Sequence, residues 1–243
     1  MAEWFESWFD SPYYSLLYAY RDEAEAENFV RALADKFPPR ARILDAPCGN
    51  GRHARALAKL GFRVTGCDLS SRLLSLARPY ESPPELVFLR HDLRQPLPGR
   101  YDAIVNLFTG FGYFERPEDD RIVFDHFVSA LEPGGVLVMD FFHADHVIKN
   151  LVEGETVFRD GVRFELERRI VGDRIVKNIR ITDDNRVFTA QEKVRLYKPE
   201  DFRRMASSLV VEYEWGDYDL SSFGADSPRY IFFARKPRLR PDA

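Results

Sequence analysis

The chain has 243 residues, 45% apolar and 30% charged, which excludes general disorder and leaves room for one large domain or one domain with an insertion. Thirty-five basic against thirty-nine acidic side chains leave a net charge of −4, which disfavours bulk binding to nucleic-acid backbone. No run approaches the roughly 18 apolar residues of a membrane span. The start, Met1-Ala2-Glu3-Trp4, has no secretory pattern, and Cys48 and Cys67 are too few for a disulfide framework. A cytoplasmic setting is therefore expected.

Residues 21–36 predict an amphipathic helix, acidic in its first turn and ended before Pro38-Pro39. A short strand, Arg42-Ile43-Leu44-Asp45, precedes Gly49 and Gly51 and a helical stretch through Lys59. A second strand is predicted over 62–68, with Ser70 capping a helix over 72–78. Further strands are predicted at 86–89, 101–108 and 136–142, with a helical period over 118–131 that stops at Pro133-Gly134-Gly135. Alternating strands and helices predict an α/β domain with a doubly wound, mostly parallel sheet. The pattern breaks over 155–197, where three short alternating segments (163–167, 174–181 and 193–197) predict antiparallel hairpins. The helix-strand pattern then resumes, so 150–198 is expected to be an antiparallel β insertion into a single domain spanning 1–243.

Gly49-Asn50-Gly51-Arg52-His53-Ala54 fits G-x-G-x-x-G/A between a strand and a helix, a loop that lets backbone approach a ligand. Asp68 follows 17 residues after Gly51, at the end of the second strand. There a carboxylate can accept from both ribose hydroxyls, which points to an adenosine-containing ligand. Asp45 ends the first strand and would repel a pyrophosphate at this loop, favouring a cationic or zwitterionic ligand such as S-adenosylmethionine. A third acid, Asp92, follows the third strand, where the adenine amino group would lie in this topology.

These residues carry a resemblance. Ile43-Leu44-Asp45-Ala46-Pro47-Cys48-Gly49-Asn50-Gly51 resembles the first motif of the class I S-adenosylmethionine-dependent methyltransferases. Val64-Thr65-Gly66-Cys67-Asp68-Leu69-Ser70 resembles the second, with its ribose acid, and Asp92-Leu93 the pair that covers the adenine. The run from Tyr101 to Asn106-Leu107-Phe108 is similar to the fourth-strand motif, whose end lies near the sulfonium, and Leu131-Glu132-Pro133-Gly134-Gly135 to the turn before the fifth strand. The end segment with Trp215-Gly216-Asp217-Tyr218 resembles many members of one bacterial small-molecule-like branch of that family.

The resemblance implies a seven-stranded Rossmann-like sheet with its last strand antiparallel, S-adenosyl-L-methionine as cofactor, and methyl transfer to a small-molecule N or O acceptor. It implies cofactor contacts from Asp45, Gly49, Gly51, Asp68, Leu69, Asp92, Leu93, Asn106 and Phe108. It also implies that residues 1–36 supply a lid and helix, with Tyr14, Tyr18 and Arg21 touching cofactor or acceptor. Asn106-Leu107-Phe108 departs from the Asn-Pro-Pro-Tyr type of amino-methylating nucleic-acid enzymes, so a nucleic-acid acceptor is not expected. An in-line displacement requires no single catalytic residue; His143 and Tyr113 are the candidates for a base. His143, His146, Asp140 and Asp145 lack a third ligand by spacing, and no metal is expected. The rival readings are an NAD(P)-dependent oxidoreductase, weakened by Asp45, and a module that binds S-adenosylmethionine without turnover. The sequence sets no oligomeric state.

Overall fold

The computed structural model describes residues 3–21 and 23–238. Two short helices come first, α1 (Trp4–Phe9) and α2 (Pro12–Leu17). Ser11 separates them: its hydroxyl accepts the Tyr13 amide, and Pro12 starts the next turn where no amide partner is needed. The chain continues through α3 (Glu23–Ala34), β1 (Arg42–Asp45), α4 (Arg52–Lys59), β2 (Arg63–Asp68), α5 (Ser71–Ala77) and β3 (Leu86–Arg90). Next are β4 (Tyr101–Asn106), α6 (Pro117–Ala130), β5 (Leu131–Phe142) and α7 (Ala144–Lys149). Four strands then run in succession, β6 (Gly154–Arg159), β7 (Val162–Val171), β8 (Arg174–Asp183) and β9 (Arg186–Arg195), before α8 (Pro199–Met205), β10 (Val210–Trp215) and β11 (Arg229–Arg235).

Seven strands form one sheet in the order β10-β11-β5-β4-β1-β2-β3, with β11 antiparallel to both neighbours. This is the expected sheet, its last strand reversed. Alternation along the central strands splits the core into two layers. Ile43, Ala103, Val105, Val136 and Val138 face α3, α4 and α5, while Leu44, Ile104, Leu137 and Met139 face α6 and α8.

The insertion differs from expectation in detail. It is a four-stranded antiparallel sheet, β6-β7-β8-β9, not three short segments. β6 escapes a pattern search because it is an edge strand with mostly exposed residues, Phe158 among them at 64%. One face of this sheet (Val162, Phe164, Leu166, Ile179, Ile181) buries Trp8 of α1 and Leu17 of α2, forming a third core. The N-terminal segment therefore divides: α1 and α2 belong to this roof, whereas α3 packs in the main sheet's helical layer. Residues 1, 2 and 22, part of the expected lid and helix, lie outside the described residues. Among the described residues no helix is long and apolar enough to cross a membrane.

Candidate active site

The carboxyl ends of β1 to β4 open beneath the roof, where open α/β sheets place their ligands. A cavity of about 270 Å³ lies there, walled by the glycine loop, the ends of β2 and β3, the loop after β4, and residues of α1, α2 and the turn beyond. The glycine loop has its shape for a steric reason. Gly51 sits at φ +80°, and a Cβ there would stand 2.6 Å from the Phe88 ring, so no side chain fits.

Asp68 fixes this loop. Its Oδ2 accepts the Gly49 amide and its Oδ1 the Ser70 amide, both at 2.8 Å. Burial raises its pKa, opposed by these amides. Each oxygen keeps a further lone pair for a ligand. Asp45 lies behind the loop, 1% exposed. Neither of its carboxylate oxygens has a partner at hydrogen-bond geometry, while the Ala54 amide and the Arg52 charge favour its ionised form. Burial first, then the charge of Asp68, push Asp45 up to about 8. The neighbouring His53 is held neutral by burial, and burial pushes the Cys48 and Cys67 thiols up.

The third acid is already engaged. Asp92 takes a bidentate grip from Arg94, at 2.7–3.1 Å, and Arg94 reaches on to Glu3 at 2.5 Å. At the other end of α1, Asp10 accepts the Ser70 hydroxyl at 2.6 Å and the Arg72 amide at 2.9 Å, capping α5 from the roof. Both ends of α1 are thus pinned to the loops that carry Asp68 and Asp92. Asp10→Ala is expected to lower stability by about 1 kcal/mol, the usual value of an N-cap, and to speed ligand dissociation. A urea titration beside stopped-flow release checks both.

The loop after β4 is held in an unusual form. Phe108 and Thr109 are consecutive non-glycine residues at φ near +60°, a conformation costing roughly 1–2 kcal/mol each. Asp140, at the end of β5, offsets that cost: its carboxylate accepts the Phe108 amide at 2.7 Å and its carbonyl the Thr109 amide at 3.0 Å. Arg229 pairs with Asp140 and donates to the Thr109 hydroxyl at 3.0 Å. The Phe108 ring lies between the Arg21 and Arg52 guanidinium groups, 4.7 and 4.9 Å away, and Glu25 bridges the two arginines.

Phe108, Tyr14, Tyr18, Arg21 and Tyr113 also border a second space of about 450 Å³, between the sheet and the roof. Aromatic rings dominate its inner wall. On its roof Glu192 accepts from Trp8 Nε1 at 2.7 Å, from the Tyr18 hydroxyl at 2.8 Å and from Lys177 at 2.6 Å. One carboxylate thereby ties α1, the end of α2, β8 and β9 together.

Gly49, Asp68, Leu69, Asp92, Leu93, Phe108, Tyr14, Tyr18, Arg21 and Tyr113 line the first cavity. Asp45 and Gly51 lie just behind it. Two residues are placed otherwise. Asn106 is fully buried and holds neighbouring loops, donating to the carbonyls of Ala46 at 2.8 Å and Gly110 at 3.0 Å. His143 is buried against Phe223, with Nδ1 on the Ser227 carbonyl, and lines neither space. Tyr113 gives its hydroxyl hydrogen to the Thr109 carbonyl, and burial raises its pKa well above the usual value, which makes it a poor base. Sequence reasoning missed Arg52, Glu192, Lys177 and Arg229. Only Arg52, inside the glycine motif, carried a local signal.

Residues 43–135 match the model of a methyltransferase domain. The chain is 32% identical over 120 residues to a putative methyltransferase of Bacillus subtilis (strain 168), covering 48% of this chain and 49% of that protein. It is 29% identical over 153 residues to the dTDP-3-amino-3,4,6-trideoxy-alpha-D-glucopyranose N,N-dimethyltransferase of Streptomyces venezuelae, covering 61% and 64%. The chain thus spans about half to two thirds of the length of these relatives. A solved S-adenosylmethionine-dependent methyltransferase from Clostridium acetobutylicum ATCC 824 shares the fold, with a TM-score of 0.77, 20% identity, and coverage of 93% of this chain and 96% of that one. Residues 43–135 thus match a methyltransferase domain, and the sheet built around them has the fold of solved S-adenosylmethionine-dependent methyltransferases.

Proposed function

We propose that the protein transfers the methyl group of S-adenosylmethionine to a small-molecule amine. The observation that carries this is Asp45, a buried carboxylate without a hydrogen-bond partner, directly behind a glycine loop. A ligand with a sulfonium and an ammonium favours the ionised form of this buried acid, whereas an anionic pyrophosphate disfavours it. The residues present fit that ligand. Asp68 would take the ribose hydroxyls, Leu69 and Leu93 the faces of the adenine, Asp45 the cationic end, and Arg21 with Arg52 its carboxylate. When bound, the donor supplies a methyl group already activated by positive charge.

The protein's own part is alignment and exclusion of water. The loop at Phe108 and Thr109, clamped by Asp140 and Arg229, sets the floor where the two spaces meet. The rings of Phe9, Tyr14 and Tyr113 border both spaces, so an acceptor in the outer one would face the donor across an apolar neck. The S. venezuelae relative is named for dimethylating an amino sugar, which supports nitrogen over oxygen. Transfer of a labelled methyl group to a panel of amines and alcohols tests this. Label in amine products alone is expected; transfer only to hydroxyl groups contradicts it.

The raised pKa of Asp45 gives a pH prediction. Without ligand its carboxyl is protonated below about 8, so a cation must displace a proton on binding. Affinity for S-adenosylmethionine is therefore expected to rise with pH from 6 toward 8, by up to about tenfold per unit. The sign for folding is opposite. A group whose folded pKa lies above its unfolded value of 3.8 contributes stability below that value and loses it as pH climbs through about 8. Calorimetry at several pH values, with Asp45→Asn as control, checks the binding slope; a slope that survives in Asp45→Asn contradicts the assignment.

A further inference from the structure

The outer space holds a histidine to which the sequence motifs give no role. His146 stands on α7 and lines this space together with Phe142, Thr109 and Arg229. Its Nδ1 lies 3.0 Å from the Asp226 carbonyl oxygen. A carbonyl can only accept, so Nδ1 carries the hydrogen, and Nε2 of the neutral ring keeps its lone pair on the opposite edge. That is the arrangement of a proton acceptor whose tautomer is fixed from behind.

The carboxylates and the buried tyrosines around this space are committed. Glu192 is held by Trp8, Tyr18 and Lys177, and Glu155 by Arg168 at 2.7 Å. Burial raises the Tyr14, Tyr18 and Tyr113 hydroxyls far above the range in which they could take a proton at neutral pH. The charges near His146 are themselves paired: Asp226 with Lys149 at 2.8 Å, Asp145 with Lys198 at 2.7 Å, and Arg229 with Asp140 at 2.5 Å.

We infer that His146 Nε2 is the base that takes the acceptor's proton. This rests on the amine reading given under Proposed function. Nε2 takes a proton from the acceptor ammonium and so frees the nitrogen's lone pair. That pair forms the new N–C bond while the donor's C–S bond breaks, its electron pair leaving with sulfur as a neutral thioether. The half-buried imidazolium then returns its proton to solvent. His146, and not His143 one turn earlier, is thus the catalytic histidine.

The test compares wild type with His146→Ala and His146→Gln, using S-adenosylmethionine and two amine probes, glycine and dTDP-3-amino-3,4,6-trideoxy-α-D-glucopyranose. Both variants are expected to bind S-adenosylhomocysteine as wild type does, which shows an intact fold and an intact cofactor site. Their kcat is expected to fall by about 10²–10⁴-fold, the usual span for a lost general base, with the acid limb of the kcat–pH profile gone. Added imidazole is expected to restore part of the rate in His146→Ala, an effect that a merely structural role would not produce. Active variants with a wild-type kcat and pH profile overturn the assignment while leaving the amine reading standing. A wild-type protein that binds S-adenosylhomocysteine and methylates only the alcohols of the wider panel overturns the amine reading, and the assignment falls with it.

Discussion

Asp68→Ala is expected to weaken binding of S-adenosylmethionine and its demethylated product by about ten- to hundredfold. The ribose would lose its hydrogen bonds to a charged acceptor, together worth about 1.5–3 kcal/mol. A second loss adds to the first. The Gly49 and Ser70 amides both end on this carboxylate, so the glycine loop and the start of α5 would lose their common anchor. Because Asp10 also binds Ser70 from the roof, the effect should reach α1. Asp68→Asn separates the contributions: it keeps an oxygen for one amide while removing the charge. The expected order of affinity is wild type, then Asn, then Ala, measured by calorimetry, with thermal unfolding recording the loop's share. Unchanged affinity in Asp68→Ala would refute the placement of the ribose at the end of β2.

Asp140→Ala is expected to be the most damaging single change to the fold. The carboxylate is fully buried, and three groups depend on it: the Phe108 amide, the Arg229 guanidinium and, at 3.2 Å, the Tyr218 hydroxyl. Removing one partner of a buried ion pair leaves the other charge uncompensated, at about 3–5 kcal/mol. For a chain of this size that corresponds to a fall in Tm of about 6–20 °C. The change would also release Phe108 and Thr109 from their left-handed backbone, so methyl transfer should collapse even at temperatures where the variant remains folded. Asp140→Asn keeps an acceptor for the Phe108 amide and should retain more of the loop than of the ion pair. Differential scanning calorimetry beside a single-turnover assay distinguishes the two losses.

The parts of this molecule legible in the sequence are those where a few adjacent residues impose the geometry. Gly49-Asn50-Gly51, Asp68 at a strand end, and the Pro133-Gly134-Gly135 turn each work within one strand–loop–helix unit, and the sheet follows from their order. The roof is different. Trp8 meets Glu192 across 184 positions, and Tyr18 meets it across 174; neither residue has a neighbour in sequence that announces the partner. The clamp on Phe108 is equally remote, since Arg229 reaches Thr109 from 120 positions away. The histidines show the limit at short range. His143 and His146 are one helical turn apart, yet only His146 faces the outer space, because β11 and the loop before it cover His143. Asn106 ends a strand at the expected place, but its amide nitrogen is taken up in holding the Ala46 and Gly110 carbonyls, and its buried Oδ1 has no partner among the described residues. Position along a strand was readable; the direction in which a side chain leaves it was not.

The roof also changes how the insertion relates to the cofactor. Phe5, Phe9 and Tyr14 line the inner cavity, and they stand on helices whose packing surface is the insertion sheet. The two spaces therefore share one wall, and disturbing β6 to β9 should affect both.

The most direct measurement of the central proposal is calorimetric titration of the protein with S-adenosylhomocysteine, NAD and NADP under the same conditions. One-site binding of S-adenosylhomocysteine, lost in Asp68→Ala and absent for both dinucleotides, is the expected result. Saturable binding of NAD or NADP without any response to S-adenosylhomocysteine would contradict it.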